Sequence, residues 1–278
     1  MATLSITTAW NETVELVRRE AALLFPVSFL LLALPSAMME AAAPQPGTNG
    51  QPQVSGIWLL LFLLAMLAGF IGNVAISYLA LRSGVSVAEA LRRGVSRLPS
   101  LFGAAVLIGI AFLCLFLAAA VAAVLIVPGA MSAAESGATT VPALIGAVLV
   151  AILIVLPFGL YFGARLMLMT PIAAAEPGNP FELIGRSWRL TEGHVWKLIG
   201  FLILIGVLIG VLRIAIGAVA GILFALVAGP IEPGSTSLWL VIVVMAIVNM
   251  VVAAYLTGLI ARIYAQLAGD TEHHRIFA

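Results

Sequence analysis

Cysteine is almost missing from this chain: Cys114 is the one thiol in 278 residues. A lone thiol builds neither an internal disulfide nor a Cys-based metal centre. Set inside an apolar run, Cys114 reads as a small lipid-buried hydrophobe. Charge is scarce as well, at 9% of residues, where soluble domains carry about 25%. The formal net charge of +1 leaves no basic surface with which to displace the counterions of a nucleic acid, so no such partner is expected. Histidine occurs three times, as His194, His273 and His274. The adjacent pair reads as part of a solvated tail, not a metal site. No glycine loop with a phosphate-binding lysine appears, and no Gly-x-Ser-x-Gly elbow. These absences predict a protein that is not an enzyme and that takes no cofactor.

What is present is apolar. Hydrophobic residues make up 63% of the chain and the mean hydropathy is +1.20. A water-soluble domain is about 45–50% apolar and has no way to hide the excess, because buried area grows too slowly with size. Lipid must be the solvent for much of the surface. Six stretches reach the ~20 residues that a helix needs to cross the hydrocarbon: approximately 21–42, 57–81, 98–127, 142–170, 195–228 and 238–267. The expected fold is therefore all-α, a polytopic membrane helical bundle forming one domain over 1–278. The apolar run from Ala21 to Leu34 follows Arg18 and Arg19. Its charged leader is too long for a removable signal and reads as an amphipathic helix.

Twelve of the thirteen Lys and Arg residues fall before the first stretch, after the last, or around the two even-numbered connections. The other three connections hold none, and each has an acid nearby, Glu40, Glu135 or Glu232. By the positive-inside rule both termini lie in the cytoplasm, in a bacterial inner membrane. All five tryptophans, Trp10, Trp58, Trp188, Trp196 and Trp239, sit at expected water–lipid boundaries, where an amphipathic indole is anchored. Turns such as Pro44-Gln-Pro-Gly47 and Pro230-Ile-Glu-Pro-Gly234 separate the stretches.

Each pair of stretches follows a short amphipathic segment suited to the membrane interface. Their apolar stripes are Ile6, Trp10, Val14 and Val17; then Val87, Leu91, Val95 and Leu98; then Phe181, Ile184 and Trp188. Ser86 to Glu89 has capping-box spacing, and Asn179-Pro180-Phe-Glu182 adds a proline at the first helical position. Glu15/Arg19, Glu89/Arg93 and Glu182/Arg186 are four apart, as are Tyr78/Arg82 and Tyr161/Arg165. The pattern reads as three units, 1–83, 84–175 and 176–278. Basic turns with caps also arise without any repeat, and Trp10 matched to Trp188 sets another register; both readings stand.

Arg213 is the thirteenth cation. It lies sixteen residues past Lys197 and sixteen before Gly229, about 24 Å from either point on a straight helix. Gly206, Gly210, Gly217 and Gly221 form one helical stripe that includes it, and small residues let membrane helices approach closely. Arg213 is expected in a helix seam or cavity, hydrogen-bonded by Asn249 and Asn73 or binding an anionic group such as a lipid phosphate. Because the stretch exceeds one crossing, a break that leaves Arg213 able to snorkel remains the alternative. Pro157, with Gly159 and Gly163, marks a kink and a close contact in the fourth stretch.

One segment has a familiar form. Pro171-Ile-Ala-Ala-Ala-Glu176, then "NPFELIGRSWRLTEGHVWKLIGFLILIGVL" from Asn179, resembles the membrane-domain family attached to some glycerophosphodiester phosphodiesterases and found alone in uncharacterised bacterial inner-membrane proteins. The resembling core runs from Ser187 to Leu198. The resemblance implies a multi-span domain without chemistry of its own, since a separate soluble barrel carries the phosphodiesterase site, and this chain has no polar region to build one. The expected function is a non-catalytic membrane protein that organises or assists envelope partners or lipids. A transporter or lipid-handling permease with a pathway near Arg213 is the alternative. Expected partners are the bilayer, anionic lipid, and a membrane protein or second copy.

Overall fold

The computed structural model describes residues 5–43, 56–82, 84–127 and 141–276, with side chains described for all of these except 141–144 and 270–276. The turn at Gly47, Glu135, and the side chains of His273, His274 and Arg275 lie outside the described residues. The helices are α1 (Ile6–Ser28), a five-residue π-helical turn (Phe29–Ala33), α2 (Leu34–Ala41), α3 (Gly56–Leu81), α4 (Val87–Ile126), α5 (Val141–Leu166), α6 (Met169–Ala175), α7 (Pro180–Leu190), α8 (Val195–Ala228) and α9 (Thr236–Ile276). Six helical segments are long and apolar enough to cross a membrane: Ile6–Ala41, Gly56–Leu81, Val87–Ile126, Ile145–Ala175, Val195–Ala228 and Thr236–Gly269. The protein is an all-α, multi-pass membrane bundle.

Local chemistry sets the ends. The Ser86 hydroxyl accepts from the Glu89 amide at 3.2 Å and starts α4. Asn179 and Glu182 cap α7 reciprocally, with Pro180 in its first turn. α8 stops at Gly229, whose φ of 94° only glycine adopts without strain. The Ser237 hydroxyl then donates to the carbonyls of Gly229 at 2.6 Å and Phe224 at 3.2 Å, closing the α8–α9 turn. The π-helical turn follows Pro26 by three residues; proline lacks an amide and crowds the preceding turn, and a widened turn absorbs the misfit.

The amphipathic segments are helical, but only the third stands alone as α7. The first is one run with the first span, with a kink at Glu20. The second continues through Pro99 without a break in assigned helix. Their buried faces also differ from the stripes read in the sequence. In α1 the buried residues are Ala9, Thr13, Leu16 and Val17, whereas Trp10 is 42% exposed. In α4 they are Ala90, Gly94, Leu101 and Ala104, whereas Val95 is 57% exposed. Small residues face inward because another helix packs there: α1 lies along α9 and α4 along α3. A methyl added at Gly258 of α9 would meet Thr13 Cγ2 at 3.3 Å.

None of the three expected Glu/Arg pairs forms as an ion pair. Arg19 pairs with its neighbour Glu20 at 3.1 Å, and Arg186 with Glu176 at 3.2 Å, the two salt bridges among the described residues. Glu89 accepts from Tyr78, and Glu182 is spent on its cap. Helical spacing permits an i,i+4 pair but gives only a few tenths of a kcal/mol, so a sequence neighbour, a cap or a tertiary partner displaces it.

The core sits at one end, the end that carries Arg82, Arg93, Arg165 and Lys197. Leu24, Ile76, Leu168, Ile172, Leu183, Leu198, Leu259 and Ile263 are all fully buried there, each near the basic end of its helix, within α6 and α7, or, for Leu168, at the N-cap of α6. The last turns of α3, Val74 to Ala80, are buried on every side, as suits a helix that is apolar all round. Toward the opposite end the spans present bare hydrocarbon: Leu153, Ile214 and Leu226 are 73%, 74% and 79% exposed. A compact basic base thus carries spans whose outer faces are bare hydrocarbon, left for lipid or another apolar helix to cover.

Candidate functional site

The glycine stripe of α8 is half covered. A methyl at Gly217 would lie 3.8 Å from Met245 Sδ and one at Gly221 3.5 Å from Ile231 Cδ1, whereas Gly206 and Gly210 have nothing within 4 Å. The expected seam therefore exists only near the α8–α9 turn. The reason is that the basic half of α9 is engaged by α1: Trp10 stacks on Tyr255 at 6.0 Å, and Thr13 meets Gly258. α9 cannot follow both neighbours, and the α8–α9 hairpin opens away from its turn.

Arg213 lies on the open part of this stripe and is exposed. It makes no hydrogen bond or ion pair among the described residues, contrary to the seam or cavity expected for it. Its level follows from the Gly217–Met245 contact: four residues further along each antiparallel helix are Arg213 and Asn249. Asn249 is half-buried and also makes no hydrogen bond among the described residues. Ten residues separate Asn249 from Trp239, about 15 Å of helix. Arg213 thus lies near the middle of α8, and the helix runs unbroken through it, so the chain break that the sequence allowed does not occur there.

Asn73 is not part of this pair. It accepts from the Thr257 hydroxyl at 2.9 Å and donates its amide to the Gly69 carbonyl at 2.8 Å. Thr257 lies eight residues past Asn249, about 12 Å nearer the basic end. Asn73 pins α3 to α9, and depth keeps it from Arg213. In α5, a methyl at Gly163 would touch Leu202 of α8 at 3.7 Å, but Gly159 meets nothing.

The basic base holds polar residues whose tertiary roles the sequence did not reveal. Arg93 donates from Nε to the Ala174 carbonyl at 3.0 Å and from Nη2 to the Ala175 carbonyl at 3.2 Å. A cation on the last carbonyls of α6 satisfies orphan acceptors and opposes the helix dipole. Tyr78 donates to Glu89 at 3.0 Å, accepts from Arg82 at 3.4 Å, and has the Arg82 and Arg93 guanidiniums 5.3 and 5.9 Å from its ring centre. Arg165 repeats the theme. It donates to the Trp188 carbonyl at 2.9 Å and the Tyr161 hydroxyl at 3.3 Å, and lies 4.8 Å over the Trp188 ring and 5.5 Å over that of Tyr161. Glu176 accepts from Tyr264 at 2.8 Å as well as from Arg186. The Tyr–Arg spacing of four was the one sequence signal for these clusters; the carbonyl acceptors gave none.

Of the other tryptophans, Trp58 stacks on Phe62 at 5.7 Å, and Trp196 and Trp239 are 84% and 52% exposed. Trp188 instead lines an apolar groove of ≈ 390 Å³ between α4, α5 and α7, with Leu107, Ala111, Leu115, Phe158 and Ile184 among its walls. A second open groove of ≈ 470 Å³ shares Ile108, Phe112, Phe162 and Leu166 with the first and reaches Phe70 and Met169.

No curated protein and no solved structure matches this sequence. A family described as a domain of unknown function, DUF7847, matches residues 4–267. All six apolar helical segments fall within or almost wholly within that span, and the chain belongs to the DUF7847 family.

Proposed function

We propose that this is a non-catalytic protein of the bacterial inner membrane, both termini cytoplasmic, that organises or assists envelope partners or lipids. The observation that carries the reading is Arg213: a cation near the middle of a 34-residue apolar helix, without a partner among the described residues, beside Gly206 and Gly210, where an added methyl would meet nothing within 4 Å. A cation at such a depth costs about 2.5–3.5 kcal/mol on insertion scales. Trp239 marks a boundary some 15 Å away, further than the side chain reaches by snorkelling. A helix from a partner, bearing a carboxylate or unsatisfied carbonyls at matching depth, offsets that cost and packs on the bare glycines. Asn249 supplies a second polar group at the same level. The resemblance of Ser187–Leu198 to the membrane domain of glycerophosphodiester phosphodiesterases supports the same reading, since that domain serves beside a catalytic partner and performs no chemistry itself.

A photo-crosslinking residue at Gly206 tests the idea in native membranes, with Leu226 as the exposed control position. Crosslinks to one protein from Gly206 alone, lost in Arg213→Leu and kept in Arg213→Lys, are expected. Equal capture at both positions, or capture of lipid only, refutes partner docking. Labelling of an Asn249→Cys protein by water-soluble thiol reagents would instead favour a transport pathway. The orientation has its own test: cysteines at Arg92 and Glu232 should be labelled from opposite sides.

A further inference from the structure

We propose that the groove between α4, α5 and α7 is a binding site for one anionic phospholipid, whose acyl chain lies along α4 and whose phosphate meets Arg165 and Arg189. This goes beyond the partner-docking reading and is independent of it, since no residue is shared.

The groove has the size of a small-molecule site, and its walls are hydrocarbon and aromatic throughout. From Leu107 to Leu115 it follows eight residues of α4, about 12 Å, so its long dimension runs with the span, as an acyl chain does. Water has no partner in such a lining. Lipid surrounds the exposed faces of both α4 and α5, which makes a chain the available occupant.

A chain in this groove gains little by leaving other chains, because bilayer tails are as apolar as the walls. Selectivity must come from the headgroup. α7 closes the groove at the basic end with Ile184 and Trp188. The Arg165 guanidinium lies on the Trp188 ring. Its Nη atoms each hold one acceptor, and its Nε is buried with no partner. Arg189, next along α7, is exposed, and its side chain makes no hydrogen bond or ion pair among the described residues. Of the acids at this end, Glu176 is engaged by Arg186 and Tyr264, Glu89 by Tyr78 and Glu182 by its cap, while Glu192, in the turn after α7, is exposed. The aromatic edge and the stacked cation stand at the mouth of a chain-shaped slot, and the exposed Arg189, one residue along α7, is the second cation assigned to the headgroup, with the charge that a phosphodiester requires.

The test uses the full chain with Trp10, Trp58, Trp196 and Trp239 changed to Phe, so that Trp188 is the sole indole. It is reconstituted in phosphatidylcholine with a minor fraction of brominated phosphatidylglycerol, and in the converse mixture with brominated phosphatidylcholine. Each cation engaged should enrich the anionic lipid about fivefold at the site, so Trp188 is quenched by brominated phosphatidylglycerol far beyond its mole fraction. Ala111→Phe fills the slot and should return quenching to the mole fraction. Arg189→Gln, on an exposed side chain, should lower the enrichment about fivefold and keeps the test sound if Ala111→Phe fails to fold. Quenching that tracks mole fraction in the parent protein overturns the proposal. So does an excess that survives both variants, which would report a diffuse basic surface.

Discussion

The same substitution at two glycines should have opposite signs. At Gly94, in the base, an added methyl would fall 2.7 Å from the Ile71 carbonyl oxygen and 3.2 Å from Ile71 Cα. Both are backbone atoms of α3, so no side chain can turn aside and the two helices must separate. Overpacking of this kind costs about 1–3 kcal/mol, against about 0.5–1 kcal/mol gained by replacing glycine inside a helix. Gly94→Ala should therefore destabilise by about 1–2 kcal/mol, the middle of the range those two terms leave, because the clash is with backbone. At Gly206 nothing lies within 4 Å, so only the helix-forming gain remains and Gly206→Ala should stabilise by about 0.5–1 kcal/mol. The two variants then differ by about 1.5–3 kcal/mol, or more than tenfold in the unfolding equilibrium. Reversible unfolding in mixed detergent micelles, followed by tryptophan fluorescence, measures the difference directly. Equal midpoints for the two proteins would refute a packed base beneath open spans, as would a larger loss at Gly206.

Arg93→Gln should cost about 2–3 kcal/mol, because two charge-assisted bonds to the end of α6 are lost; the same unfolding assay reads it, and amide exchange should rise in α6. Thr257→Val breaks the bond to Asn73 between α9 and α3 and should cost about 0.5–1.5 kcal/mol, the usual range in membranes. Arg213→Leu should leave the purified protein as stable or more so, since the cation has no partner to lose among the described residues; a large loss of stability would show an internal partner.

The sequence on its own determined the solvent and the spans. Runs such as 195–228 are long enough and apolar enough that only a helix in lipid satisfies their backbone, and α8 is there with those bounds. The caps at Ser86 and Asn179 were legible for the same local reason: a side chain three residues from an orphan amide needs no tertiary help. Tertiary structure decided what each helix face meets. The glycine stripe from Gly206 to Gly221 is written into α8, but whether it is a seam depends on α9, which α1 holds on its other flank. Arg93 was expected beside Glu89 by spacing and instead caps α6, eighty-one residues away. Asn73 chose Thr257, a partner 184 residues distant, because depth in the bundle brought the two together. Hydropathy and capping are properties of a few neighbouring residues; the partner of a buried polar group is set by which helices converge on it, and in this protein the main core forms at the basic end.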